Sequence, residues 1–355
     1  MLREIADWDA LAEAASEPNP FFESWYLLPS LRAFDPDGKV RIIRFERDGK
    51  LAGLMPIAHS RRYYGWPLPH LASWLHDNCF LGSPLVEAGA EHDFWRSLFT
   101  WADGHAGFGL FLHLAKIPLR GPLHDALVKT IDEEKRDMVK VHHKVRAMLE
   151  SAQTPEDYFE QSVSAKKRKE LRRQFTRLSE LGEIHFSRRD DEEGLDRWIE
   201  DLLVLEAAGW KGRAGSALAS SHATERLFRE SLVGACRRGK LERLTLTLDG
   251  RPIAMLANFL TPPGAFSFKT CFDEALSRYS PGVLLQRENL SVLERDDIAW
   301  TDSCAAPDHP MIDHIWRERR AIGRFSIAIG SAARRSIFRR VVAMELSRKS
   351  EGPPK

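Results

Sequence analysis

The chain has 355 residues, 43% hydrophobic and 29% charged, a size that usually divides into two domains because one core rarely grows past about 250–300 residues. A formal net charge of +1 excludes any global attraction to nucleic acid or to an anionic membrane, so such a surface would have to be local. The four cysteines, Cys79, Cys236, Cys271 and Cys304, lie far apart with no metal-ligand spacing; they read as reduced thiols, and no metal site is expected.

The chain opens on an acidic amphipathic stretch without the basic-then-apolar pattern of a secretory signal, and no apolar run approaches the roughly 18 residues of a membrane span. A cytoplasmic protein is the expectation. A helix is predicted over Asp7–Ser16, followed by a Pro-Asn-Pro break. Phe21, Phe22, Trp25, Tyr26, Leu28 and Leu31 then recur at helical spacing. Val40–Phe45 and Leu51–Ala58 flank Asp48-Gly49, a hairpin signal. A strand-and-loop region over Leu71–Leu85, a helix over Ala90–His105 and a strand over Phe108–Leu114 follow. The pattern is a mixed α/β layer.

Between the halves, Ser162–Leu181 carries one apolar stripe, Leu171, Phe175, Leu178 and Leu181. Lys166, Lys167, Arg168, Lys169, Arg172, Arg173 and Arg177 crowd its other sides. A charge run of this kind is ordinarily a solvated face. The alternative is an anion site, for CoA phosphates, an acidic sugar polymer or RNA. No interleaved aromatics offer base stacking, so RNA is the weakest of the three.

The second half repeats the layout. Leu195–Leu205 and Thr224–Arg237 are helical in period, and Leu241–Leu248 and Ile253–Leu260 form a hairpin through Asp249-Gly250. The twin hairpins point to an internal duplication. Phe266, Phe268, Thr270 and Phe272 then alternate with Ser267, Lys269 and Cys271, the mark of a strand. Ser280-Pro281-Gly282 opens an apolar-periodic helix, with Ser280 as the expected N-cap and Pro281 in its first turn. Strand, loop and helix start aim free N–H groups at a phosphate; Ser280, Gly282 and Val283 would supply them, and Arg278 a charged fork. Ile298–Ser303 reads as a further strand, and Trp316–Ile329 closes the core. A basic amphipathic helix over Ser331–Ser347 either packs on the domain or lies on an anionic membrane surface, leaving peripheral contact open.

The C-terminal half resembles the GNAT superfamily, and within it the cellulose-biosynthesis (CelD-like) acetyltransferase group related to the Fem-type aminoacyltransferases. The resemblance rests on Lys167–Arg173 with Leu178 and Gly182, Leu205–Gly212 (LEAAGWKG), Leu248–Ala254 (LDGRPIA), Phe272-Asp273-Glu274 through Tyr279-Ser280-Pro281-Gly282, and Trp300–Ser303 with Trp316. Asn19-Pro20-Phe21-Phe22 looks like the opening of the same group's N-terminal half. The resemblance implies an α/β (α+β) fold of tandem GNAT-like domains, each a mixed, mostly antiparallel sheet flanked by helices: an N-terminal domain over 1–150, an acyltransferase domain over 151–345 and a disordered tail over 346–355. It further implies transfer of an acyl group from acyl-CoA, acetyl-CoA first, to an amine or hydroxyl. GNAT enzymes carry a Gln/Arg-x-x-Gly-x-Gly/Ala loop at the phosphate site. Here it is Arg278-Tyr279-Ser280-Pro281-Gly282-Val283, with one glycine at which backbone can closely approach a pyrophosphate.

Such chemistry needs a proton acceptor near the donor carbonyl. Glu206, Asp273 and Asp302 are the catalytic candidates, with His309 beside them. Glu206 stands inside an apolar run, where desolvation would raise its pKa. Each also has a structural reading: helix surface for Glu206, turn former for Asp273, strand end for Asp302. Trp210, Lys211 and Lys269 are candidates for holding substrate. Three functions compete: an acyl-CoA-dependent N- or O-acyltransferase on a small or envelope- or polysaccharide-related acceptor, a Fem-type aminoacyl-tRNA-dependent transferase, and a non-catalytic scaffold for polysaccharide assembly.

Overall fold

The structure is a computed structural model that describes residues 2–350, with side chains from 4 to 343. In chain order the first half runs α1 (Leu2–Ala14), α2 (Ser24–Phe34), β1 (Arg41–Arg47), β2 (Lys50–Ser60), β3 (His70–Ser73), β4 (Leu85–Val86), α3 (Glu91–His105), β5 (Phe111–Pro118), α4 (Pro122–Glu133) and β6 (Met138–Leu149). Then come α5 (Pro155–Ser162), α6 (Ala165–Ser179), β7 (Ile184–Arg189), α7 (Leu195–Ala208), α8 (Trp210–Arg213), α9 (His222–Cys236), β8 (Leu241–Leu248), β9 (Arg251–Thr261), β10 (Gly264–Phe272), α10 (Pro281–Glu288) and β11 (Trp300–Asp302). The chain closes with β12 (Glu318–Ala328) and α11 (Ala332–Ser350). Short 3-10 turns at Glu274–Tyr279 and Asn289–Glu294 flank α10.

Two compact units result, one from residues 1–27, 34–144 and 321–355, the other from 28–33 and 145–320. The sequence reading puts everything from 151 to 345 in the second domain. Residues from 321 onward group with the first unit because β12 pairs along β5, from Ile322↔Pro118 to Ala328↔Phe111. The expected disordered tail over 346–355 overlaps the end of α11, and from 351 it lies outside the described residues.

In the first unit β1, β2 and β3 are antiparallel, β3 runs parallel to β5, and β5 is antiparallel to β12. In the second, β8, β9 and β10 are antiparallel, β10 runs parallel to β11, and β11 is antiparallel to the end of β6. The succession of directions is the same, and the second sheet adds β7 outside β8. Each is a mixed, mostly antiparallel sheet flanked by helices. The duplication reaches into detail. Asp48 and Gly49 both take positive φ (53° and 73°), as do Asp249 and Gly250 (49° and 75°), the geometry of a type I′ hairpin turn. Both hairpins also break register at one place, between Phe45 and Glu46 and between Leu246 and Thr247, three residues before each turn Asp.

In the first unit α11 packs Phe338 and Val342 against Tyr63, Phe111 and Ala328. Among the described residues no helix is long and apolar enough to cross a membrane. In the second unit α6 and α10 cover one sheet face around Leu178, Leu244, Leu246, Leu256, Leu284 and Leu285. On the other face Thr245 accepts a hydrogen bond from the Trp198 indole of α7, as strand alternation requires.

Candidate active site

The site forms where β10 parts from β11. Their pairing covers Gly264–Phe266 against Trp300–Asp302 and stops there. From Ser267 to Phe272, β10 therefore continues without a strand on that edge, and its register with β9 also breaks between Ser267 and Lys269. Beside this free edge lies a cavity of about 90 Å³, lined by Glu206, Lys211, Thr270, Cys271, His309 and Met311 among others. Adjacent residues of β10 face opposite ways: Thr270 Oγ1 accepts from Gln286 of α10 at 3.3 Å, while the Cys271 thiol points to Leu202 of α7.

Glu206, on the last turn of α7, is buried with 4% of its surface exposed. Its Oε1 accepts from Lys211 Nζ at 2.8 Å and lies 3.8 Å from Lys269 Nζ; its Oε2 accepts from the Leu218 N–H at 2.7 Å. Burial pushes this carboxyl up, but the Lys269 and Lys211 ammoniums and the hydrogen bonds outweigh it, so the net shift is downward. That reverses the direction expected from the apolar run around Glu206: desolvation is present, but two cations folded onto the carboxylate overcome it. Lys269 answers in kind. Burial lowers its pKa, Glu206 restores part of the loss, and the ammonium is left at about 8. Lys269 is thereby brought toward neutrality.

A second carboxylate holds the loop above. Glu274 Oε1 accepts the Trp210 N–H at 2.6 Å and its Oε2 accepts from Arg213 at 2.6 Å, pinning both ends of α8. Trp210 itself is 59% exposed. Leu205, Gly209 and Glu274 also border a wider groove of about 750 Å³, which adds Val204, Arg213 and Arg251.

The start of α10 adjoins the cavity through Phe272 and Met311: a Cβ on Gly282 would meet Met311 Sδ at 2.6 Å and the Phe272 ring at 3.1 Å. Pro281 occupies the first turn as expected. Ser280 does not act as expected. It sits in the left-handed region with no side-chain cap, because the 3-10 turn before it ends there. The Ser280 N–H is spent on Ser277 O and that of Val283 on Ser280 O, both at 3.0 Å. Gly282 is thus the position of the three whose N–H enters no such bond. Arg278 is exposed, its guanidinium 4.7 Å over the Tyr279 ring.

The structure does not bring the other two carboxylates to the cavity. Asp273 caps the following 3-10 turn through the Ala275 N–H and pairs with Arg251. Asp302 is fully buried, bonded by Arg146 at 2.6 Å, Arg320 at 3.0 Å and the Cys304 N–H. Burial opposes its charge, yet the two guanidiniums hold it below the usual carboxylate range. Asp273 borders the wider groove instead, and Asp302 lines neither. His309 does line the cavity, and its Nδ1 is buried without a partner. Burial lowers its pKa.

One further assembly is not legible in sequence. A groove of about 440 Å³ gathers Arg168, Arg172 and Phe175 of α6 with Phe159, Phe186 and Arg287. Aromatics do accompany the basic helix, supplied by α5 and β7 rather than by α6 alone. Among the described residues no group of three or more His, Cys, Asp or Glu is placed to hold a metal ion.

Residues 165–309 match the family described as acetyltransferase (GNAT) domain, which takes in α6 through β11 and every residue given for the cavity except Met311. No curated protein matches the chain. Among solved structures, that of FemX superposes with a TM-score of 0.58 at 10% identity, covering 91% of this chain and 95% of that one. A conserved protein of unknown function from Bacteroides thetaiotaomicron gives 0.58 at 11% identity, covering 92% and 97%. At such identities the likeness is one of fold, and it extends over both units.

Proposed function

We propose that the second unit is an acyl-CoA-dependent acyltransferase, with acetyl-CoA as donor and the nitrogen or oxygen of a small or envelope- or polysaccharide-related molecule as acceptor. The observation that carries this reading is the free edge of β10 with a cavity against it and the first turn of α10 alongside. A thioester laid along that edge finds backbone N–H groups where charge develops on its carbonyl oxygen. The donor's phosphates lie toward Gly282, where the helix start favours an anion. The acceptor enters by the wider groove, past Trp210 and Arg213.

The chemistry then follows from the cluster. The acceptor nitrogen or oxygen forms a bond to the acyl carbon, and the carbon–sulfur bond breaks. The acceptor's proton passes to the neutral amine of Lys269, and the departing thiolate takes that proton from the resulting ammonium to leave as CoA thiol, which returns Lys269 to the neutral amine. Glu206 positions this amine and, by holding Lys211 and the Leu218 N–H, keeps the loop closed over the cavity.

The test is calorimetric titration with acetyl-CoA, joined to a thiol-release assay over a panel of amines and sugars. Wild-type protein should bind and release thiol, and Lys269→Ala should still bind but lose about 10²-fold or more in turnover. Protein that binds no acetyl-CoA would sink the reading.

A second reading, transfer from aminoacyl-tRNA as in Fem-type enzymes, is favoured by the arginine- and phenylalanine-lined groove beside α6. Binding of charged tRNA where acetyl-CoA fails would favour it; binding of neither would leave the scaffold reading.

A further inference from the structure

The first unit keeps its exposed apolar surface in one place. Among its described residues the large hydrophobic side chains left exposed are Tyr64, Trp66, Phe108 and Ile337, at 54%, 53%, 91% and 47%. Each stands within two residues of a member of the cluster that α11 closes: Tyr64 beside Tyr63, Trp66 before Leu68, Phe108 before Leu110, Ile337 beside Phe338. Hydrogen bonds tie these segments together: the Leu110 N–H donates to Pro69 O and Arg334 Nη2 donates to Gly107 O, both at 2.8 Å. The exposed side chains therefore share one rim of the unit. Scattered singly they would need no explanation; gathered, they mark a surface for interaction.

Charge gathers at the same rim. Arg61 and Arg62 open the turn that carries Tyr64 and Trp66, and Arg324 Nη1 donates to the Tyr64 hydroxyl at 3.0 Å. Arg334 and Arg340 stand on either side of Ile337 on α11, each about one turn away. Elsewhere in this unit arginines meet carboxylates: Arg44 with Glu46, Arg47 with Glu87, Arg136 with Asp103. Among the described residues Arg61, Arg62, Arg324, Arg334 and Arg340 form no ion pair. In a chain whose overall balance is +1, this is a local excess of positive charge that an anionic partner would complement. Both expectations for the basic helix are then met at once: α11 packs Phe338 and Val342 inward and leaves Ile337 and Arg340 exposed.

We infer that this rim docks on an anionic bilayer surface, with Phe108, Ile337 and the Tyr64 and Trp66 rings entering the headgroup layer and the arginines on the lipid phosphates. Tyrosine and tryptophan settle at that layer because one end of the ring is apolar and the other wet, and cations beside them are drawn to anionic headgroups. A soluble polyanion would answer the arginines but leave Phe108 and Ile337 in water. A neutral apolar partner would leave the guanidiniums without counter-charge. The inference does not depend on the donor reading: it concerns where the chain works, whichever group the second unit transfers.

The probe is a vesicle of two parts phosphatidylcholine to one part phosphatidylserine, sedimented with the full chain, beside vesicles of phosphatidylcholine alone and dextran sulfate in solution. Wild-type protein should sediment with the anionic vesicles and not with the neutral ones. Arg61→Glu with Arg62→Glu should weaken binding about 20-fold or more, the size of two cations near an anionic surface. Phe108→Ala with Trp66→Ala should weaken it about 10-fold or more. All four positions are exposed, so unfolding midpoints should stay at the wild-type value. Lys166→Glu with Lys169→Glu, exposed on α6 of the second unit, should leave binding nearly unchanged. Lipids brominated on the acyl chain should quench tryptophan emission, and Trp66→Phe should remove most of that quenching. The inference is overturned by equal binding to neutral vesicles, by an apolar pair that binds as wild type, or by quenching that Trp66→Phe leaves in place. Equal loss in the lysine variant would overturn it in favour of a diffuse basic field. Capture by dextran sulfate without vesicle binding would assign the rim to an acidic polymer instead.

Discussion

Lys269 and Glu206 show how two titratable groups set each other's chemistry. The ammonium is buried, which lowers its pKa, and the carboxylate partly restores it, leaving about 8 against an ordinary 10.5. Activity that depends on the neutral amine should rise with pH through about 8. Replacing Glu206 with Gln removes the anion that raises Lys269, so the rising limb of the profile should move to lower pH; a limb that stays in place excludes Lys269 as the titrating group. Stability has the matching sign. The folded pKa is depressed, so between about 8 and 10.5 the unfolded chain binds more protons, and this group's contribution grows as pH rises through that window. Glu206, Lys211 and Lys269 are legible in sequence as polar residues set among apolar ones. Their mutual distances are not, and neither is the burial of Asp302 between Arg146 and Arg320, which depends on strands remote in the chain.

At the scale of elements, the hairpin turns are the most legible feature, because Asp-Gly between apolar runs encodes one geometry whatever surrounds it. At Gly49 and Gly250 a Cβ would find open space, with nothing within 4 Å, so a side chain there contends only with the left-handed backbone. Gly250→Val should therefore cost about 1–2 kcal/mol or somewhat more. It should lower the urea midpoint with the slope unchanged, and Gly49→Val should do much the same. Unequal effects would show that the two turns, alike in φ, are not alike in surroundings. The Ser280 cap is the counter-example. Ser-Pro-Gly is a sound helix start, but the 3-10 turn from Glu274 to Tyr279 delivers the chain into the left-handed region. A residue held there cannot turn its hydroxyl back on the first turn.

At the scale of the whole molecule, all four cysteines are buried thiols outside any disulfide, and burial pushes the Cys271 thiol well above its ordinary value. The native protein should show no rapidly reacting thiol toward an aromatic disulfide reagent, and four after unfolding, so thiol released in an acyl-transfer assay would be the donor's. A fast-reacting thiol in native protein would mean that one of these sites opens. Local pattern alone determined the alternation of helices and strands, the twin hairpins, the basic helix and the strand–loop–helix start, since each follows from neighbours a few residues apart. Tertiary structure decided the rest: that β12 joins the first unit, that β10 runs on past β11 to leave a free edge, and which carboxylate meets lysines and which meets arginines. Those outcomes turn on pairings between residues tens to hundreds of positions apart, where loop closure and competition among partners, not local preference, select the contact.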